Sequence, residues 1–220
     1  MKKYEFTGEV KSWFGRTLHR IRATITFGDI KIGEAGGWIE KEENLSQDGD
    51  AWVYGDARVY GDARVYGDAR VYGDALVCGN ARVCGNARVC DDALVCGDAL
   101  VCDDALVCGN ALVYGDARVC GDARVYGNAR VYGDARVCGD ARVFKSTHYL
   151  IIGPIGSRKD ITTFFRTKAL DISVSCGCFK GNIEAFAEKV KATHGENDYA
   201  KQYMMAIELA KTCIDLSPEI

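Results

Sequence analysis

Residues suited to acid–base catalysis are scarce in this sequence, and their positions limit the chemistry that it permits. The chain has 220 residues and three histidines, at positions 19, 148 and 194. Histidine is the side chain that most readily exchanges a proton near neutral pH. His148 follows a long repeat, and we predict it as the general base if the protein is an enzyme. His19 has polar neighbours in an alternating strand, and we interpret it as a solvent-facing strand residue. His194 lies at the end of a predicted helix, and we interpret it as structural.

A glycine-containing turn with basic residues is the second place where chemistry is expected. The segment Gly153-Pro154-Ile155-Gly156-Ser157-Arg158-Lys159 follows a predicted strand. Backbone N–H groups of such a turn can bind an anion, and cationic side chains strengthen the site. We therefore predict a site for a small anion or a nucleotide, with an ordinary solvated turn as the alternative. The predicted ligands are Gly153, Gly156, Ser157, Arg158, Lys159 and, further along the chain, Arg166.

The eleven cysteines are the third candidate group. Eight of them occupy one position of the repeat, at 78, 84, 90, 96, 102, 108, 120 and 138, where tyrosine is the other common residue. A position that accepts cysteine or tyrosine is not one that a disulfide framework requires, so we predict reduced thiols at the surface. The Cys-x₂-Cys pair of zinc sites is missing, and Cys176-Gly177-Cys178 is too closely spaced for one. The sequence therefore predicts neither a metal nor a cofactor.

The repeat itself must position all of these residues. From residue 51 to residue 144 the chain repeats Ala-Arg-Val-Tyr-Gly-Asp, or a close variant, sixteen times without an insertion. Alternation places Ala and Val on one side and the residues between them on the other. Gly-Asp or Gly-Asn forms a corner, since Gly adopts positive φ and Asp or Asn tolerates it. Three hexads then close a triangular coil, and coils stack about 4.8 Å apart.

The pattern Val-x-x-x-Ala-x at a period of six resembles the hexapeptide repeat of left-handed parallel β-helix proteins. The resemblance covers residues 51–144 and implies a mainly β fold built on a left-handed parallel β-helix with three hexads per coil. The sequence departs from the family in the residue after Val, which is Tyr or Cys here instead of Gly, Ala, Asp or Glu. Gly-Gly-Trp-Ile-Glu before the repeats and Gly-Asp-Ala-x-Val-Tyr within them resemble uncharacterised hexapeptide-repeat proteins of bacteria and their phages.

The two flanking segments are predicted to close the ends of the β-helix. Residues 1–50 contain alternating segments and form an N-terminal β cap, in which Asp29–Ile32 is predicted as the third strand. Residues 145–220 are predicted to form a small α+β domain with the order β-β-β-α-α. Asn182 is the predicted N-cap of its first helix, Gly195 ends that helix, and the second helix begins at about Asn197.

Stacking of every third hexad predicts which residues share an outer face. Leu76, Leu94 and Leu112 fall on one face and form an apolar stripe beside Cys78 and Cys96. An exposed apolar stripe is typical of an interface. We therefore predict that this face packs on a second subunit or a partner, giving a dimer or a trimer. Divergence among duplicated repeats is the alternative explanation.

Three function classes remain compatible with the sequence. The first is a non-enzymatic structural or interaction protein that self-associates. The second comes from the resemblance, because hexapeptide-repeat acyltransferases use a histidine as general base between the subunits of a trimer; here only His148 would serve, since the repeat contains no histidine and no extruded loop. The third is a protein that binds or sequesters a small anion or nucleotide, which a phage could encode.

Composition argues against two other kinds of partner. The net charge is −3, and each ladder of Arg runs beside a ladder of Asp or Asn, which cancels the field that nucleic acid binding needs. Nowhere does the sequence contain the run of about 18 apolar residues that a membrane span needs. The first residues do not resemble a signal peptide. We expect a cytoplasmic protein without nucleic acid or membrane partners.

Overall fold

The computed structural model describes residues 1–218 and confirms a mainly β fold built on a parallel β-helix. Three strands precede the hexads: β1 (Tyr4–Trp13), β2 (Arg16–Ala23) and β3 (Ala35–Ile39). A short 3₁₀ turn, Glu42–Asn44, links β3 to the repeat. Within the described part of the chain, no helix has both the length and the apolar character that spanning a bilayer requires.

The hexads form sixteen strands of two residues each, β4 to β19. In chain order they are Trp52–Val53, Arg58–Val59, Arg64–Val65, Arg70–Val71, Leu76–Val77, Arg82–Val83, Arg88–Val89, Leu94–Val95, Leu100–Val101, Leu106–Val107, Leu112–Val113, Arg118–Val119, Arg124–Val125, Arg130–Val131, Arg136–Val137 and Arg142–Val143. Each strand from β4 to β16 pairs in parallel with the strand three hexads later, so the β-helix has three flat faces. The Leu face contains β5, β8, β11, β14 and β17, the Cys face β6, β9, β12, β15 and β18, and the Trp face β4, β7, β10, β13, β16 and β19.

The interior of the β-helix consists of the Ala and Val of each hexad, and their exposed fraction is 0%. Burial of each valine stabilises the fold by about 1.5–3 kcal/mol relative to exposure. Backbone hydrogen bonds join successive coils; for example, Leu94 N–H donates to Ala111 O at 2.9 Å and Cys96 N–H donates to Val113 O at 2.9 Å. The alternation seen in the sequence therefore determines which side chains fill the core.

The corners of the coils depend on glycine for two reasons. Gly97 has φ 70°, a left-handed conformation that most residues avoid. A Cβ atom at Gly97 would also lie only 2.8 Å from the backbone N of Gly115 on the next coil. Asp91 and Asp103 occupy the same corner position, with φ 56° and φ 61°. In these two hexads Asp therefore replaces Gly, the residue that suits the corner conformation best.

The N-terminal cap is continuous with the Leu face. Strands β1 and β2 form an antiparallel hairpin, β3 pairs antiparallel with β2, and β3 also pairs in parallel with β5, Trp38 opposite Arg58. The predicted strand at Asp29–Ile32 is wrong, since this segment contributes only a bridge from Ile30 to Phe27. The third strand is β3 instead. Gly36 allows this strand to pack closely on β2, since a Cβ atom at Gly36 would lie only 2.6 Å from Ile21.

The C-terminal segment confirms the prediction of helices and an antiparallel sheet, with one strand more than expected. The sheet contains β20 (Tyr149–Ile155), β21 (Asp160–Arg166), β22 (Ile172–Cys176) and β23 (Phe179–Asn182), in that order, after a 3₁₀ turn at Ser146–His148. Strand β23 forms because Gly177, with φ 58°, starts a two-residue loop after β22. Helix α1 (Ile183–His194) and helix α2 (Asp198–Cys213) pack on one side of the sheet.

The predicted helix boundaries hold in detail. Asn182 Oδ1 accepts the backbone N–H of Ala185 at 2.8 Å, and Asn197 Oδ1 accepts that of Ala200 at 3.0 Å. Gly195 is the C-cap of α1. The side of the sheet that faces away from the helices covers the last coil of the β-helix. There, Arg136 N–H donates to Thr163 Oγ1 at 3.0 Å, and Phe165 joins the core of the β-helix. The C-terminal domain is thus attached to the β-helix through β21.

Candidate functional site

His148, the candidate general base, is buried inside the junction between the last coil and the C-terminal domain. Its exposed fraction is 0%. Nδ1 accepts the backbone N–H of Phe144 at 3.4 Å, and the imidazole meets the Phe144 ring edge-on with ring centroids 4.0 Å apart. Nε2 lies 3.8 Å from a carboxylate oxygen of Asp215. A substrate would have to displace the surrounding chain to reach either nitrogen.

The electrostatic surroundings of His148 favour a neutral ring. Burial lowers its pKa, and the positive charge of Arg166 lowers it further, while Asp215 acts in the opposite direction and Lys145 adds a smaller lowering effect. A neutral imidazole can act as a base in principle. Here, however, the ring supports the packing of Phe144 on the last coil. The geometry therefore places His148 within the packing between the last coil and the C-terminal segment.

The turn at residues 153–159 is packed on helix α2. The backbone N–H of Gly156 donates to Gln202 Oε1 at 2.8 Å, so this donor is already used within the protein. A Cβ atom at Gly156 would overlap the Tyr203 hydroxyl, which shows how closely the turn and the helix approach. Gly153 and the side chains of Ser157, Arg158 and Lys159 are exposed to solvent.

Arg166 does not join the other residues of the predicted anion site. It ends β21, seven extended residues after Lys159, which corresponds to about 23 Å. Its Nη2 donates to Ser217 O at 3.1 Å, and its guanidinium lies 5.0 Å from the centroid of the Phe144 ring. Arg166 is 1% exposed. The structure thus brings Arg166 together with His148, and the predicted anion-binding set is separated into two places.

The apolar stripe predicted on the Leu face has the expected register. Leu94 pairs with Leu76 on one side and with Leu112 on the other, and all three side chains are partly exposed. Two tyrosines lie in the neighbouring ladder of the same face, in line with Cys78 and Cys96: Tyr114 and Tyr132 stack with ring centroids 5.5 Å apart and are 38% and 47% exposed. The face therefore carries an apolar row of three leucines, with a pair of exposed aromatic rings beside its C-terminal end.

Both ends of the Leu face are bounded by the caps. At the N-terminal end, Arg58 lies 4.2 Å from the Trp13 ring centroid, and Phe14 at the hairpin tip is 84% exposed. At the other end, a groove of about 720 Å³ separates the face from the C-terminal sheet. Its lining includes Tyr114, Tyr132, Tyr149 and Ile151. The Leu face is thus a shallow surface between a raised hairpin and a groove.

The cysteines form ladders along the β-helix and are less exposed than predicted. All eleven are free, but Cys90 and Cys138 are buried, at 5% and 7% exposure. Sγ of Cys120 lies 2.6 Å from Sγ of Cys138. Sγ of Cys90, Sγ of Cys108 and a carboxylate oxygen of Asp91 all lie within 4.8 Å of one another.

Comparison with known proteins agrees with this architecture. A family model described as the YdcK β-solenoid repeat matches residues 51–67, 63–79, 81–97, 105–121, 117–133 and 123–137. The chain is a hexapeptide-repeat β-helix protein. The matches lie within the hexads and do not extend into the two caps.

One curated relative of this hexapeptide-repeat β-helix protein is the "Uncharacterized acetyltransferase YdcK" of Escherichia coli (strain K12). The two sequences are 34% identical over 62 residues, which represent 24% of this chain and 19% of the relative. The chain therefore matches about a fifth of the length of that relative.

The hexapeptide-repeat β-helix protein also has an apolar groove that was not predicted from its sequence. The groove has a volume of about 800 Å³ and lies between β20 and the outer side of α2. Ile152, Ile155, Met204, Met205 and Leu209 line it, and Met205 is 73% exposed. The signal available in the sequence is the presence of Met205 and Leu209 on the side of α2 opposite Ile207, which is buried.

Proposed function

We propose that this protein is a non-enzymatic interaction protein whose Leu face packs against a second copy of the chain. The observation that supports this most strongly is the in-register row of Leu76, Leu94 and Leu112, with the stacked and exposed Tyr114 and Tyr132 in the neighbouring ladder of the same face. Apolar surface of this kind gains free energy when it is removed from water, at about 25 cal/mol per Å². Aromatic side chains are also enriched at interfaces.

The shape of the face suits a symmetric dimer. Two-residue strands in strict register make a flat surface, and a flat surface can contact its own copy across a two-fold axis. An axis near Leu94 would place each Leu row on the other. Arg130, which ends the row on one side, would then lie at the rim, where charged groups stay hydrated. Arg58, at the other end, is already packed against Trp13. Cys78 and Cys96 lie beside the Leu row and would be covered in the same contact.

The surroundings of His148 support the non-enzymatic part of the proposal. The candidate base is buried, and its Nδ1 accepts the backbone N–H of Phe144. The hexads of residues 51–144 continue without an extruded loop that could form a cleft. The repeat therefore offers repeated flat faces, which favour binding over catalysis.

The experiment is a measurement of molar mass by light scattering coupled to size exclusion. The monomer has a mass of 24.0 kDa. The proposal expects a mass of a dimer or larger for the wild-type protein. It also expects dissociation on replacement of Leu94 by Arg, the residue that most hexads carry at this position. A wild-type monomer at all concentrations tested would refute it.

An acetyltransferase is the second candidate, and the printed name of the Escherichia coli relative supports it. The support is limited to the repeat, since the match spans 19% of that protein. An enzyme of this kind would bind an acyl thioester donor, so acetyl-CoA should raise its melting temperature by mass action. A clear rise that desulfo-CoA or CoA also produces would favour this candidate. An unchanged melting temperature at millimolar acetyl-CoA would favour the interaction protein.

A further inference from the structure

The thiols of Cys90 and Cys108 meet across adjacent coils of the Trp face. Strands β10 and β13 pair Val89 with Val107. Cys90 and Cys108 directly follow these two strands and therefore stack on each other in the same way. Both Sγ atoms and an Asp91 carboxylate oxygen lie within 4.8 Å of one another. The three side chains come from positions 90, 91 and 108, a spacing that no linear zinc motif contains.

Asp91 is the unusual member of this cluster. It stands where most hexads have the corner glycine, and it adopts φ 56°, which costs a non-glycine residue about 1 kcal/mol or more. Its Oδ2 accepts the backbone N–H of Gly109 at 3.0 Å. That hydrogen bond fixes the carboxylate beside the two thiols, and a carboxylate can accept a second partner on its other lone pairs.

The donor set has the chemistry of a site for a thiophilic divalent cation. Zn²⁺ prefers four ligands at tetrahedral angles, with Zn–S distances of about 2.3 Å, which places two ligating sulfurs about 3.8 Å apart. The spacing of the cluster is compatible with that geometry. Asp91 is exposed and Cys108 is half-buried, so water can complete the fourth position. Two thiolates, one carboxylate and Zn²⁺ would carry a net charge of −1, which Arg88, the first residue of β10 two positions before Cys90, can offset.

A second hexad has the same sequence pattern but not the same arrangement. On the Cys face, Cys102 precedes Asp103, whose φ is 61° and whose Oδ2 accepts the Gly121 N–H at 3.1 Å. The stacked thiol there, Cys120, lies 2.6 Å from Cys138 on the following coil. Cys120 is therefore turned toward the next coil, and among residues 1–218 only the Cys90, Asp91 and Cys108 group meets the spacing of a metal site.

We propose that Cys90, Asp91 and Cys108 bind one thiophilic divalent cation, Zn²⁺ being the one that this donor set fits. The ion joins two central coils of the β-helix. The corner aspartate replaces glycine because it supplies a ligand. The Asp103 hexad, which lacks a converging thiol pair, serves as the internal control.

The test uses the full-length protein, reduced and freed of metal by a chelator, and titrated with Co²⁺ as a spectroscopic probe and with Zn²⁺. Binding is followed by the thiolate-to-cobalt absorption and by the metal content after desalting. The proposal expects about one equivalent of metal. It expects loss of the absorption in Cys90→Ser and Cys108→Ser, and a fall in affinity of about ten-fold or more in Asp91→Asn. Asp103→Asn should bind like the wild type.

Circular dichroism of each variant shows whether the β-helix is intact, which we expect because Asn tolerates the left-handed corner and Ser is close in size to Cys. Absence of the cobalt absorption in the folded wild-type protein would overturn the proposal. So would an absorption that survives in the Cys90→Ser, Cys108→Ser double variant, since other thiols would then hold the ion. Equal affinities of Asp91→Asn and Asp103→Asn would show that Asp91 is not a ligand.

Discussion

Leu94 pairs in register with Leu112 on the neighbouring coil, and the two side chains extend from the same flat face. The pairing follows from the period of the sequence, since residues one coil apart occupy equivalent positions. Leucines in register on adjacent coils form an apolar row. The contact between Leu94 and Leu112 leaves the outer surface of both side chains exposed to water. The row is the feature of the surface that most requires a partner. Leu76 lengthens it, and the stacked tyrosines widen the apolar surface beside its end.

The corner glycines should limit how closely the coils stack. Gly97→Ala introduces a Cβ atom 2.8 Å from the backbone N of Gly115, in addition to a left-handed conformation that costs about 1–2 kcal/mol. Gly139→Ala has the same conformational cost, with φ 66°, but its Cβ would meet nothing within 4 Å. We expect Gly97→Ala to lower the free energy of unfolding by at least about 1 kcal/mol more than Gly139→Ala in urea denaturation. Equal losses would mean that the corner conformation alone matters.

The stability of the protein should decrease in mild acid because of His148. Burial lowers the pKa of the folded His148 below its ordinary value of 6.5, with Arg166 and Lys145 adding to the effect and Asp215 opposing it. Below pH 6.5 the unfolded chain binds a proton that the folded chain does not, so this contribution to stability is lost as the pH falls from 6.5 to the folded pKa. The measurement is the free energy of unfolding between pH 5 and pH 8.

A matched pair of variants isolates this effect. His148→Asn keeps a hydrogen-bond acceptor near Nδ1 and removes the titrating ring, so we expect a flatter dependence of stability on pH. His194→Asn, which removes the histidine at the end of α1, serves as the control for the loss of one imidazole. If His148→Asn retains the slope of the wild type, buried His148 does not contribute to the acid sensitivity.

Features that depend on residues close together in the sequence could be predicted, whereas features that depend on contacts between distant segments could not. The hexads were predictable because each residue has a local role: Val points inward, Gly turns the corner, and the period fixes that Leu94 meets Leu112. The strand at Ala35–Ile39 was missed because Gly36 and Gly37 read as turn residues, whereas they are glycines that allow close packing on Ile21 and Val53.

Two features of the candidate sites depend on contacts that the sequence does not reveal. Arg166 and His148 come together only through the fold of the C-terminal domain on the last coil, and spacing along the chain had grouped Arg166 with the turn instead. The proximity of Cys90 to Cys108 follows from the period of the coil. A rule for zinc sites based on Cys-x₂-Cys spacing could not detect it.

Oxidation should distinguish the cysteine pairs of the Cys face. Cys120 and Cys138 have their Sγ atoms 2.6 Å apart on adjacent coils, and the strand spacing of about 4.8 Å lies within the Cα range of disulfides. With oxidised glutathione, we expect a disulfide between Cys120 and Cys138 to form before one between Cys84 and Cys102, as two thiols lose their protons and two glutathione thiols are released. Peptide mapping by mass spectrometry identifies the linked peptides. Simultaneous formation of both links would contradict the prediction.

Self-association through the Leu face is tested most directly by comparing Leu94→Arg with Leu106→Arg. Both leucines belong to the same coil and are partly exposed, but Leu94 lies on the Leu face and Leu106 on the Trp face. Arginine is common at this position of the repeat, so both variants should fold. In sedimentation velocity over a dilution series, we predict that Leu94→Arg is a 24.0 kDa monomer while Leu106→Arg keeps the mass of the wild-type oligomer. An oligomer that Leu94→Arg leaves intact would contradict the proposed interface.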